Sequence, residues 1–121
     1  MERAVVLGWL ALAAIHVAPS AVLFWPDLTD TLYGVTPDDS TGILIIHRGA
    51  LFLAVMVLAV FAAFAPEARR AASLTVGISI LGFLAVYGFA GFPAGPLRTV
   101  AVVDTAALVP FALVAWDAWR T

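Results

Sequence analysis

Hydrophobic positions in this chain neither alternate with polar ones nor keep to one helical stripe. They run on with few polar interruptions in four stretches, at residues 5–25, 42–65, 72–92 and 97–116. Each is about 20 to 24 residues, which at about 1.5 Å per residue makes a helix of roughly 30 Å, the thickness of a bilayer's hydrocarbon core. Strands of a membrane barrel would be shorter and would alternate apolar with polar positions. The pattern therefore predicts an all-α fold, a single domain over residues 1–121 built as an antiparallel bundle of four transmembrane helices. A helix satisfies its own backbone groups, as lipid requires.

The breaks between the runs fit this reading. Pro26 and Asp27 end the first, Pro66 stops the second, and "GFPAGP" closes the third. Thr36, Pro37, Asp38 and Asp39 resemble a capping box and predict the entry to the second helix, with Pro37 at its first position. Pro19 and Pro110 fall inside the first and fourth runs and predict kinks. The first run has the basic start and small residues of a secretory leader, but it continues apolar through Val22, Leu23 and Phe24, so it is expected to remain as the first helix. Trp25, Tyr33, Trp116 and Trp119 lie near run ends, where headgroup anchoring is the ordinary use of such rings. Ser79, Gly77, Gly82, Gly88 and Gly91 are expected to let helices approach closely.

Composition narrows the class further. Hydrophobic residues make up 64% of the chain and charged ones only 12%, a balance foreign to soluble domains. There is no cysteine, hence no disulfide framework and no thiolate metal site. A net charge of −2 with no basic stripe argues against nucleic acid as a partner. The six basic residues are all arginine in an alanine-rich chain, which points to a bacterial source. Arg3, Arg69, Arg70 and Arg120 fall on one side of the proposed bundle. The other side carries Asp27, Asp30, Asp38 and Asp39, with Arg98 at its edge. By the positive-inside rule both termini are expected in the cytoplasm, with the chain in a bacterial inner membrane.

Within this apolar chain a few polar residues share one depth. His16, His47 and Asp104 fall about 9 to 14 Å below the outer boundary, counting about 1.5 Å per residue, and Tyr87 falls about 8 Å below it. Arg48 lies one residue deeper than His47, and Arg98 sits near the boundary. Ionisable groups in hydrocarbon cost about 2.5 to 3.5 kcal/mol each and face the bundle interior. Asp104 is therefore expected to pair with Arg48 or Arg98. Together His16, His47, Arg48, Tyr87, Arg98 and Asp104 are the expected lining of one outward-opening pocket for a small polar or anionic ligand or an ion, within a transport or redox system.

Two other classes stay open on the same residues. His16 and His47 could hold a b-type haem through their imidazoles, and with Asp104 they could hold a metal ion. Alternatively the polar layer only fixes helix packing in a structural subunit, a homo-oligomer or a larger membrane complex. No serine sits in a nucleophile elbow, and no residue is assigned to catalysis.

The segments "IHVAPSAVLFWPDLTDTLYGV", "GILIIHRGALFLAVMVLAVFAAF" and "RTVAVVDTAAL" resemble a group of small bacterial four-helix membrane proteins with a DoxX-like layout. The resemblance spans nearly the whole chain. Its most specific elements are His16, the "LYG" of Leu32, Tyr33 and Gly34, the His47–Arg48 pair, and Asp104. Members of the group are often called phosphopantetheine adenylyltransferase, a soluble α/β enzyme. This chain has neither the alternating strands nor the Gly-rich phosphate loop for that activity. The resemblance implies a fold and a set of positions, with no activity attached.

Overall fold

The computed structural model describes residues 1–120. Among them are six α-helices, one 3₁₀ turn and no strand: α1 (Glu2–Ile15), α2 (Val17–Ala21), α3 (Leu28–Tyr33), α4 (Ser40–Phe64), the turn Pro66–Ala68, α5 (Arg69–Phe89) and α6 (Pro96–Trp119). Three helical stretches, Ser40–Phe64, Pro66–Phe89 and Pro96–Trp119, are long and apolar enough to cross a membrane. Their bounds lie close to the second, third and fourth hydrophobic runs. The first run is not one helix. It breaks at His16, and residues 26–39 fold back as a helical loop instead of a plain connection.

The break has a local cause. Pro19 has no N–H to give to the carbonyl four residues earlier, so one rung of the ladder is missing at this turn. The backbone N–H of His16 shortens its reach to Ala13 O (3.1 Å), and the His16 ring takes up the carbonyl thereby left over, Leu12 O, at 2.8 Å from Nδ1. The side chain thus closes the gap opened in the backbone. Pro110, by contrast, sits inside an α6 that stays continuous.

The loop is tied internally. Gly34 ends α3 in the left-handed region, at φ 68°, where glycine carries no Cβ penalty. Thr29 and Val35 then bond in both directions, through Val35 N–H to Thr29 O (3.2 Å) and the Thr29 hydroxyl to Val35 O (2.8 Å). The entry to α4 differs from the capping box expected at Thr36. The cap is Asp39, whose carboxylate accepts from Gly42 N–H at 2.7 Å. Thr36 and Pro37 instead lie across the first turn of α4, so close to Gly42 that a Cβ there would collide with their backbone.

Helices α1, α4, α5 and α6 surround one core, with α1 and α5 each packed between α4 and α6. The core is finely grained: Val5, Trp9 and Leu12 of α1 meet Ala59, Ala62 and Ala63 of α4, with Ala72, Val76 and Ile80 of α5 and Ala107 and Val114 of α6. Alanine on α4 lets backbones approach closely, the usual currency of helix packing in lipid. The outward faces are as apolar as the core. Leu44, Phe64, Ile78 and Val109 are each about 70% exposed or more. A surface of this kind fits a lipid context.

At the end that holds both termini, one guanidinium joins all four of these helices. Arg69, the first residue of α5, is only 4% exposed. It donates through Nε to Ala62 O (2.9 Å) and through Nη2 to Ala63 O (3.0 Å), two carbonyls near the end of α4. Nη2 and Nη1 also reach Glu2 of α1, at 2.6 and 3.2 Å, and Nη1 lies 3.5 Å from Asp117 of α6. Asp117 in turn holds Arg120 at 3.1 Å. The cation completes carbonyls that a helix end leaves unpaired, and the two acids offset its position at the positive end of α5.

Arg69→Met should therefore destabilise the purified protein by about 2 to 4 kcal/mol, the range for losing buried charge-assisted bonds. Arg3→Met, at an exposed position, should change little. The hydrogen bond from Arg69 holds the Glu2 carboxyl below its ordinary value. Its contribution is thus present above the unfolded carboxylate's titration near pH 4.3, and fades as pH falls through the lower folded value. Thermal melting of the two variants and of wild type across pH 3 to 7 checks both statements.

Candidate functional site

At the opposite end of the bundle, beneath α3, the break at His16 opens a small interior cavity of about 20 Å³. That is room for a single water-sized group. Its walls carry a polar residue from each surrounding element: His16 at the break, Tyr33 from the end of α3, Arg48 of α4, Ser79 of α5 and Asp104 of α6. Phe52 and Phe83 close the space between them.

His16 is 3% exposed and uses both ring nitrogens. Nδ1 faces Leu12 O at 2.8 Å and so carries the proton, which leaves Nε2 to accept from the Ser79 hydroxyl at 3.0 Å. The imidazole is a neutral, fully engaged wall group. Arg48 is held differently. Its guanidinium lies over the Phe52 ring at 4.7 Å and near the Tyr33 ring at 5.6 Å, and aromatic faces are its only close partners. Among the described residues none of its five N–H donors meets an acceptor, and no carboxylate comes within 4 Å. Asp104, half-buried on the same cavity, also has no hydrogen bond and no ion pair among the described residues. Opposite charges thus face one space without closing on each other.

Tyr33 forms a wall shared with two further hollows. On the Arg48 side an open groove of about 580 Å³ runs between α4 and α5, and on the Asp104 side a smaller hollow of about 130 Å³ lies against Pro19, Val100 and Val103. Burial holds the Tyr33 phenol above its ordinary value, with the Arg48 charge opposing and the Asp104 charge adding. At neutral pH it stays an uncharged hydroxyl, able to donate and accept.

The six residues expected to share one pocket divide into three places. His16, Arg48 and Asp104 meet as described. Tyr87 and Arg98 line a separate open groove of about 770 Å³ between α5 and α6, which shares no residue with the cavity. There the Tyr87 hydroxyl donates to Pro93 O at 2.6 Å, and exposed Arg98 donates to Phe92 O at 3.3 Å. His47 is exposed on the face of α4 that carries Ile43, Leu44 and Leu51, and lines neither space. One residue along a helix turns the side chain by about 100°, so the neighbours His47 and Arg48 point different ways. The two imidazoles therefore do not converge as a haem ligand pair would. The described residues contain no group of three or more His, Asp or Glu placed to hold a metal ion.

Two members were not assigned to the site from sequence. Tyr33 was read as a headgroup anchor and Ser79 as a packing position, yet both face the cavity. The end of α3 at Gly34 carries a signal for Tyr33, since a helix stopping there folds the loop back onto the bundle. Nothing in the sequence marks Ser79. No family model, curated protein or solved structure matches the chain.

The engagement of His16 predicts strong coupling with Ser79. Ser79→Ala should leave Nε2 unpaired and cost about 1 to 3 kcal/mol. In a His16→Phe background the same change should cost far less. A double-mutant cycle of melting free energies measures this coupling, and additivity would contradict the bond.

Proposed function

We propose that the chain is an integral protein of a bacterial inner membrane that crosses the bilayer four times, with both termini cytoplasmic. In this reading it binds a small polar ligand in the cavity beneath α3, with Arg48 and Asp104 as the recognising groups. The first crossing is α1 and α2 taken together. Residues 5–21 make about 25 Å of helix at about 1.5 Å per residue, and both pieces pack against α4. The side assignment rests on Arg3, Arg69, Arg70 and Arg120 at the termini end against four aspartates in the long loop. A periplasm-active reporter fused after the C-terminus should be silent, and the same reporter inserted beside Asp38 should be active. The opposite result overturns the orientation.

A single observation carries the binding reading. Arg48 and Asp104 line one cavity, and neither has a hydrogen bond among the described residues. Burying uncommitted charges is costly, and a fold that does so at the one place where five elements meet leaves their bonds to something that enters. Because the two charges cancel, a neutral group that accepts from Arg48 and donates to Asp104 suits the space better than a free anion, which the carboxylate would repel.

Formamide carries both functions in three heavy atoms, one polar end filling the cavity and the rest standing in the adjoining groove beside Arg48; formate is its anionic counterpart. At about 1.5 kcal/mol per heavy atom for the best tiny ligands, formamide should bind with a Kd in the millimolar range. Nuclear magnetic resonance of the Arg48 side chain and the Tyr33 ring, in nanodiscs, should show a saturable shift with formamide and a weaker one with formate. Arg48→Met and Asp104→Leu should each abolish it. An unsaturable response in wild type would favour a purely structural polar layer.

A further inference from the structure

The small cavity does not stand alone. It shares Tyr33, Arg48, Phe52, Ser79 and Phe83 with the groove between α4 and α5, so the groove ends at the cavity wall. Away from that end the groove is mostly apolar, lined by Val35, Ile45, Ile78, Val86 and Leu97, with Thr41 at the start of α4. At about 580 Å³ it falls in the ordinary range of small-molecule sites. It opens sideways between two helices long and apolar enough to cross a membrane. A solute arriving along it would come from the lipid.

We infer that the ligand of this site is a single-chain amphiphile with a small uncharged hydroxyl head, which enters laterally from the bilayer and lays its tail in the α4–α5 groove. This rests on the binding reading above and adds the ligand's class and route. The head is fixed by size and charge. One water-sized space lies where Arg48 donates and Asp104 accepts, and a hydroxyl both accepts and donates. A carboxylate head would meet Asp104 without a proton to offer, and an ammonium head would meet Arg48. The tail is placed by size, since two hollows adjoin that space and the α4–α5 groove, at about 580 Å³ against about 130 Å³, is the one with room for a long chain. The larger groove at Arg98 shares no residue with the cavity and plays no part.

Gly82 supplies the test. It lines the groove, and a Cβ built on it meets nothing within 4 Å. Gly82→Leu puts a side chain into the channel, leaves every polar residue of the cavity in place, and favours the helix over glycine. Binding of 1-decanol, decyl methyl ether and decanoate is measured in nanodiscs by the same side-chain signals, beside formamide. Decanol should bind wild type at least tenfold more tightly than the ether, which has no proton for Asp104, and than decanoate. Gly82→Leu should weaken decanol at least tenfold and leave formamide unchanged.

Equal binding of decanol and its ether, or decanol binding untouched by Gly82→Leu, overturns the inference. Formamide binding without any for decanol removes the amphiphile and its route while the parent reading stands. If neither binds to wild type, both fall.

Discussion

A single buried guanidinium holds the two ends of the chain and both of its middle helices together. Arg69 touches Glu2 of α1, the last carbonyls of α4 and Asp117 of α6, and is itself the start of α5. In hydrocarbon, helices gain little from burying apolar surface against each other, because the lipid is as apolar as they are. Close contacts between small residues and a few polar bonds must then set their arrangement. The alanines of α4 provide the first, and Arg69 provides the second at one end. With that end fixed, the opposite end is free to be irregular.

The irregularity there is organised. A proline breaks the first helix, and the histidine at the break repairs the backbone bond with its own ring and holds Ser79 across the bundle. The turn closed by Gly34 brings Tyr33 onto the same space. His16 and Ser79 spend their bonds within the protein, whereas the Tyr33 hydroxyl and the two charged groups, Arg48 and Asp104, have no hydrogen bond among the described residues. Arg48 is kept in place by aromatic rings, which position a cation without consuming its hydrogen bonds. This division between engaged wall groups and uncommitted recognition groups is what separates a binding arrangement from polar packing. The proposed function grows from it.

Much of the architecture was legible in the sequence because hydrophobic run length is a strong constraint. The limits of α4, α5 and α6 follow the runs closely, since Pro66 and the "GFPAGP" turn allow little choice. The first run was read as one helix because hydropathy does not register a missing N–H. Pro19 was visible, but that His16 would complete the break was not. Depth counting groups His16, Arg48 and Asp104, which line one cavity, because distance along a helix axis can be counted from residue number. Rotation about the axis is harder to read. His47 and Arg48 share a depth and differ by about 100° in direction, and the alternating small and large residues around them gave no clear inner face. Tyr87 and Arg98 had the depth but lie one helix interface away. Tyr33 is absent from that grouping because a loop residue's depth cannot be counted at all.

The central claim is that Arg48 and Asp104 face each other across a space meant for something else. A crystal structure of the protein grown in a lipid mesophase, at a resolution that orders water, tests this most directly. The account predicts no direct bond between the two side chains, and instead one ordered group within hydrogen-bond distance of both, beside the Tyr33 hydroxyl. A direct Arg48–Asp104 ion pair with the cavity closed around it would contradict the account.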